Sequence, residues 1–331
     1  MDNTTDTVPP KSSIFHVCYL CFLILAIIIG NSLVLVLIRL NRRLHSPTFY
    51  FLGNLSFAEL LIGVGFVPLY TAAVLEGRWR FGKTMCRAHA FVVTSSVNAS
   101  LITLCVVSVD RFLDIRDPLR YFGRMTKRRS AMIIFCIWAH SLFWAAMPLV
   151  DWGEISFDNN TKTCRPDFAA SGISNRVYAA LLVVFGFAIP SLVTGYCHIK
   201  IYQMAKEQTR KIAKISVRKD FTSGHVQEDI VLTFHPRKER KAHKTILIII
   251  GAFVVCWLPY SIGTSWKLAT GHALELYWFA NVGLTLALTN SSLNPLIYTL
   301  RDRRVRMGFM KLVCGERYRK KLSGKFLAVE L

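Results

Sequence analysis

Acid is scarce in this chain: 20 Asp and Glu stand against 41 Lys and Arg in 331 residues, a formal net charge of +21. Catalytic and metal-binding patterns are missing too. His89, His140 and His272 stand alone, with no metal-ligand spacing, and no nucleophile–base constellation is visible, so the chain reads as no enzyme. No internal repeat appears, which removes the inverted-repeat design common among transporters. Met1–Lys11 is polar and has no basic n-region, so the apolar block after it reads as an uncleaved span rather than a leader.

What is present is apolar and blocky. The chain is 53% hydrophobic, and several blocks exceed the roughly 18–20 residues that cross a bilayer as a helix. Backbone groups in hydrocarbon must pair internally, so each block is expected to be helical. Seven spans are expected: Ile14–Leu40, Thr48–Leu75, Cys86–Pro118, Ser130–Val150, Ser174–Lys206, Arg237–Leu268 and Leu274–Leu300. The fold class is therefore all-α, a seven-transmembrane bundle. An odd count puts the termini on opposite faces. About 30 basic residues fall on one face and about 9 on the other, which makes the basic face cytoplasmic and the N-terminus extracellular. That placement suits anionic lipid headgroups of the bilayer and argues against nucleic acid as a partner. Residues 1–13 form an outer terminus, 14–300 the membrane domain with an intracellular loop at 207–236, and 301–331 a tail. In that tail Val305, Phe309, Leu312 and Val313 recur among basic residues, as in a short interfacial helix.

Six cysteines (Cys18, Cys21, Cys105, Cys136, Cys197, Cys256) lie in apolar blocks and read as packing residues. Cys86 and Cys164 lie on the oxidising side, where they are free to pair. Cys314 follows the amphipathic stretch; it is a palmitoylation candidate, with an unmodified thiol as the alternative. Asn3 and Asn159 head glycosylation triplets on the outer face. Asn54 heads one too, but inside a span.

Markers recur along the spans: Gly30-Asn31-Ser32; Asn54-Leu55-Ser56 through Glu59-Leu60; Asp110-Arg111-Phe112 with Pro118-Leu119; Trp138; Pro190; Phe253 and Cys256-Trp257-Leu258-Pro259; and Ser291 with Asn294-Pro295-Leu296-Ile297-Tyr298. In this order and spacing the chain resembles the rhodopsin-like (class A) G-protein-coupled receptor family over about 300 residues. The resemblance implies a Cys86–Cys164 disulfide, with Trp79 and Phe81-Gly82 in the first outer loop. It implies a switch at Asp110, Arg111, Phe112 and Leu119, with Glu239 as a resting partner of Arg111, and an active state supported by Tyr298 and the residue at 198. That residue is His198 where the family usually has tyrosine. It further implies a polar cluster of Asn31, Glu59, Ser100, Asn290, Ser291 and Asn294. The family holds a sodium ion there through an aspartate; with Glu59 in its place, sodium binding and a purely structural network both stay open. Pro190, Pro259 and Pro295 are expected to kink their helices.

Carried over residue by residue, the ligand pocket is lined by Val93, Thr94, Val97, Trp257, Tyr260, Ser261, Thr264, Leu284 and Leu288, with Lys267, Trp266, Glu76 and Glu275 at its mouth. Amine receptors of the family place an aspartate where this chain has Val93, so a conventional amine is disfavoured. A retinal cofactor needs a lysine where this chain has Leu288. A neutral, lipid-like or peptide ligand fits better. The expected function is transduction of an extracellular ligand to a heterotrimeric G protein, with arrestin as a further partner. The alternative is a non-signalling seven-helix protein, a heteromer partner or lipid scramblase.

Overall fold

The computed structural model describes residues 11–168, 172–220, 251, 255–270, 277–301 and 304–312. The expectations for Asn3, Glu239, Phe253, His272, Glu275, Val313 and Cys314 fall outside those residues. The helices are α1 (Lys11–Leu40), α2 (Pro47–Leu61), α3 (Val67–Glu76), α4 (Gly82–Arg116), α5 (Pro118–Arg124), α6 (Lys127–Ala146), α7 (Ile173–Val183), α8 (Ile189–Asp220), α9 (255–270), α10 (Tyr277–Arg301) and α11 (304–312). Five of the described rods are long and apolar enough to cross a bilayer: Ile14–Leu40, Pro47–Glu76, Gly82–Arg116, Lys127–Val150 and Ile173–Glu207. α9 and α10 share their core: Cys256, Trp257, Ala287 and Ile297 pack in one cluster with Leu101 and Leu104 of α4. α10 carries Asn281, Asn290, Ser291, Ser292 and Asn294, which lower its hydropathy.

The distribution of polarity is that of a bundle in lipid. Phe15, Phe22, Phe135 and Leu192 point outward, while Asn31, Glu59, Ser100, Asn290 and Asn294 are buried. Large exposed apolar surface is untenable in water and expected against acyl chains. Of the cysteines read as packing residues, Cys197 and Cys256 are buried, but Cys18, Cys21 and Cys136 face outward.

Four local features depart from the expected spans, each for a physical reason. α4 ends at Arg116 rather than Pro118, because Asp117 precedes a proline and adopts φ −148, ψ 74 outside the helical region; Pro118 then opens α5. α6 begins at Lys127, three residues early, capped by Thr126, whose side chain accepts from the Arg129 N–H. α8 runs on to Asp220, so the first half of the expected 207–236 loop is helical; Lys, Glu, Gln, Arg and Ala favour a helix even without an apolar period. Finally, two rods contain one wide π turn each, Ile62–Phe66 and Val184–Ala188, immediately before Pro68 and Pro190. The Val67 N–H reaches Ile62 O and the Ile189 N–H reaches Val184 O, five residues back, which makes room for a proline ring. Pro190 thus widens its rod locally, and Pro68 does the same unannounced by any marker.

Close approaches explain two of the markers. A Cβ on Gly30 would lie 3.0 Å from Pro295 Cγ, so α1 and α10 meet where α1 has no side chain. Asn54 ties three rods: its Nδ2 donates to Thr103 Oγ1 at 2.8 Å, and its Oδ1 accepts from Trp138 Nε1 at 2.8 Å. A glycosylation triplet buried in this way is structural.

The all-α expectation omits one small element. β1 (Ile155–Asp158) and β2 (Thr163–Pro166) form an antiparallel hairpin, with Phe157 opposite Cys164 and Ser156 opposite Arg165. Cys164 is disulfide-bonded to Cys86 near the start of α4. Strand pleating separates two faces. Phe157 and Cys164 pack on Cys86, Ala90 and Trp79, so Asp158 and Arg165 share the other face. Asn159 is exposed in the turn between the strands.

Candidate functional site

Beneath the hairpin lies a cavity of about 150 Å³ whose lining includes all nine residues expected for the ligand pocket. Val93, Thr94 and Val97 form its α4 wall, Trp257, Tyr260, Ser261 and Thr264 its α9 wall, and Leu284 and Leu288 its α10 wall. Trp257 and Tyr260 meet edge to face, with ring centroids 6.0 Å apart. The π turn contributes Gly186 and Phe187, and Asn98 of α4 faces it: a Cβ on Gly186 would collide with Asn98 Oδ1. Asn98 is a polar lining group that no marker indicated.

The roof is ionic. Arg165 extends from β2 and donates through Nη2 (2.5 Å) and Nε (3.2 Å) to Asp158 Oδ2, its diagonal neighbour on the same hairpin face. Lys267 of α9 reaches the same oxygen at 3.1 Å and Asp167 Oδ1 at 3.9 Å. Arg165 Nη1 turns down to Tyr260 Oη at 3.3 Å. Burial would push the Asp158 carboxyl up; the charges of Arg165 and Lys267 and the hydrogen bonds from Arg165 and the Asn160 N–H outweigh it and hold it well below the usual carboxylate range. The hairpin is also tied sideways, through Lys162 Nζ to Gly77 O (2.8 Å) and Asn281 Nδ2 to Asn160 O (2.8 Å). Of the other expected mouth residues, Trp266 is exposed and Glu76 pairs with Arg80. Arg165 was not among the expected lining residues, because the expected spans included no strand there; on the strand, the residue after the disulfide cysteine points away from the disulfide, here toward the cavity.

Midway along α4, Ser100 Oγ donates to Glu59 Oε1 at 2.6 Å, and Asn294 Nδ2 approaches the same oxygen at 3.4 Å. Asn31 donates to Ser291 O (3.2 Å) and Ile27 O (3.0 Å). Asn290, next to Ser291, is buried. Among the described residues Glu59 Oε2 and Asn31 Oδ1 accept no hydrogen bond.

At the far end of α4, Asp110 is fully buried and highly connected. Its Oδ2 accepts from Thr48 Oγ1 (2.8 Å) and Arg111 Nη2 (3.0 Å), its Oδ1 from Tyr121 Oη (2.6 Å). Arg111 also donates to Asp114 at 3.2 Å. Thr48, Asp114 and Tyr121 are partners that the markers did not indicate: Thr48 and Tyr121 depend on how other helices return to α4, and Asp114 stands one turn after Arg111 on α4 itself. Phe112 lies edge-on to Tyr196 and under the Arg116 guanidinium; Leu119 on α5 is 92% exposed. His198 Nε2 lies 3.1 Å from Ser108 Oγ. Ser108 spends its own hydrogen on Leu104 O, so the proton between them belongs to Nε2. Tyr298 is buried in the α10 core.

Comparisons with known proteins agree with this arrangement. The chain is 29% identical over 345 residues to the alpha-1D adrenergic receptor of Rattus norvegicus, covering 91% of this chain and 58% of that one. It is 30% identical over 300 residues to the histamine H2 receptor of Cavia porcellus, covering 89% and 78%. The chain thus spans well under two thirds of the length of the adrenergic relative. A squid rhodopsin structure superposes with a TM-score of 0.78 at 21% identity, over 93% of this chain and 87% of that one, which is a likeness of fold. Residues 30–298 match the family described as "7 transmembrane receptor (rhodopsin family)", and the chain belongs to that family, one of receptors rather than enzymes.

Proposed function

We propose that this chain is a ligand-operated receptor of the plasma membrane, with its N-terminus outside, that activates a heterotrimeric G protein from its inner face. The observation that carries this reading is the layout of α4. One end walls the cavity through Val93, Thr94 and Val97, and the other holds the Asp110–Arg111 pair. Eighteen residues of helix separate Val93 from Arg111, about 27 Å, roughly the thickness of the hydrocarbon core. An agonist in the cavity biases a pre-existing equilibrium toward a state in which Arg111 leaves Asp110 and Asp114 and, with Leu119, meets the G protein. Arrestin competes for the same inner face.

The relatives are named for adrenergic ligands and histamine; Val93, where the family's amine receptors have an acid, argues against a conventional amine here. Glu59 Oε2 and Asn31 Oδ1, buried acceptors without donors among the described residues, support a sodium ion held by Glu59, Ser100, Ser291 and Asn294. Glycosylation at Asn3 and Asn159 and palmitoylation at Cys314 complete the proposal.

The test is nucleotide exchange on purified G proteins with the chain in nanodiscs. Arg111→Ala should reduce exchange to the level of empty discs; undiminished exchange refutes the coupling role. The His198–Ser108 contact favours a second reading, a non-signalling heteromer partner or scramblase, since His198 is engaged with α4 rather than with Tyr298. Exchange that stays absent even after His198→Tyr would favour it.

A further inference from the structure

The cavity has an electrostatic sense opposite to that of an amine site. Among the described lining residues Arg165 alone carries a charge; the rest are apolar or neutral hydroxyl and amide groups. Asp158, the carboxylate that Arg165 pairs with, is not free to receive a cation. Its Oδ2 holds Arg165 and Lys267, and its Oδ1 holds the backbone N–H of Asn160 at 2.8 Å. An ammonium entering the cavity would meet the Arg165 guanidinium and, among the described lining residues, no acid.

Arg165 is asymmetric in its use. Nε and Nη2 are committed to Asp158, while Nη1 faces the cavity and makes one long contact, 3.3 Å, to Tyr260 Oη. In that contact the phenol is the acceptor, so its own hydrogen is available to a ligand. Thr264, one helical turn beyond Tyr260, lines the same wall. Two donors, one of them charged, therefore converge at the top of a space whose floor is Trp257, Leu101 and Leu288. Planar carboxylates match guanidinium geometry, and charge-assisted hydrogen bonds of this kind are the strong ones.

Resting on the reading of this cavity as the ligand site, we infer that its ligand is a small apolar molecule ending in a carboxylate, held by Arg165 Nη1 and Tyr260 Oη with its apolar body toward Trp257.

The test uses three probes that share one skeleton: 4-phenylbutyrate, 4-phenylbutanol and 4-phenylbutylamine. Binding is measured by saturation-transfer NMR competition on the full chain in phosphatidylcholine nanodiscs, which carry no net charge to concentrate either ion. The carboxylate should bind at least about tenfold more tightly than the amine, equivalent to ~1.4 kcal/mol. Arg165→Gln should abolish that preference while leaving the alcohol's affinity within about twofold, which also reports that the cavity is still folded. Tyr260→Phe, a one-atom change, should weaken the carboxylate several-fold and the alcohol less. An amine that binds as well as the carboxylate, a carboxylate preference that survives both substitutions, or no binding of any probe overturns the inference. Nucleotide exchange in the same discs separates the two readings. Arg111-dependent exchange with failed probes sinks only the head-group inference; a carboxylate preference without Arg111-dependent exchange sinks only the signalling role.

Discussion

Removing one oxygen atom at Tyr121 tests how the inner end of α4 is held. Tyr121→Phe deletes the donor to Asp110 Oδ1, a 2.6 Å bond to a carboxylate with no exposed side-chain surface. Thr48 and Arg111 both bind Oδ2, so among the described residues Oδ1 has Tyr121 as its donor and loses it. A hydrogen bond to a charged group contributes about 1.5–3 kcal/mol, and a carboxylate oxygen left buried without a donor places the expected loss in the upper half, about 2–3 kcal/mol. That is more than tenfold in the unfolding equilibrium. The assay is unfolding in mixed detergent–SDS micelles followed by tryptophan fluorescence, run as a double-mutant cycle with Asp110→Asn. The coupling should be at least about 1 kcal/mol. pH gives a second readout. Burial first, then the hydrogen bond and charge of Asp110, push the Tyr121 phenol above its ordinary value. A raised phenol stabilises the fold fully below about pH 10 and loses that contribution as pH climbs through the raised value. The gap between wild type and Tyr121→Phe should therefore be constant up to about pH 10 and narrow above it. A Phe variant within about 0.3 kcal/mol of wild type, or one equally costly with Asn at 110, would refute the reasoning.

Trp138→Phe should cost about 1–3 kcal/mol in the same unfolding assay, because it leaves Asn54 Oδ1 buried without its indole donor; an unchanged midpoint would show that Asn54 re-pairs. Gly30→Leu forces a side chain into Pro295, 3.0 Å from the first added atom, and should destabilise by about 1–3 kcal/mol or block surface expression, whereas Gly53→Ala, with its nearest contact at 3.4 Å, should be tolerated. Asp158 has a depressed carboxyl, so its ion pairs stabilise the roof above the unfolded value of about 4 and are lost as pH falls below it. Hydrogen exchange of the 155–166 amides, corrected for intrinsic rates, should be flat from neutral pH to about 4 in wild type and uniformly faster in Asp158→Asn.

Five of the expected spans lie among the described residues as long apolar rods and were legible as local properties of helices; the cavity wall came by carry-over from the family resemblance, which helix geometry makes consistent. A bilayer demands long apolar runs, and a helix fixes which residues share a face, so Val93, Thr94 and Val97, or Tyr260, Ser261 and Thr264, fall together once their helix is placed. What was not legible depends on chain return. Arg165 was invisible as a lining residue because its direction follows from a hairpin register, Ser156 opposite Arg165, that spans only eight paired residues. Asp110 was expected to hold Arg111, but Thr48 and Tyr121 arrive from α2 and from a short helix that exists only because Pro118 breaks α4 at Asp117. α8 was cut short at Lys206 because its continuation lacks an apolar period, although its residues are good helix formers. Glu239, the expected resting partner of Arg111, lies outside the described residues; Asp114, one turn along α4, is the partner observed.

The distribution of ties also says which rod is held in place. α4 is pinned at several points along its length: by the disulfide at Cys86, Ser100 to Glu59, Thr103 to Asn54, Ser108 to His198, and Asp110 to Thr48 and Tyr121. Shifting it would break buried polar contacts with α2, α5 and α8 at once and work against the covalent tie to β2, so α4 is a fixed post. The ties named for α9 lie instead at its outer end, Tyr260 to Arg165 and Lys267 to Asp158. A ligand group that takes Arg165 Nη1 must compete with the Tyr260 contact, at 3.3 Å the longest of the hydrogen bonds that Arg165 makes. Differential contact of that kind is what a ligand needs in order to bias a two-state rod. Trp257, one turn below Tyr260 and part of the cavity lining, packs in the core it shares with Tyr298, so the lining and that core are in direct contact.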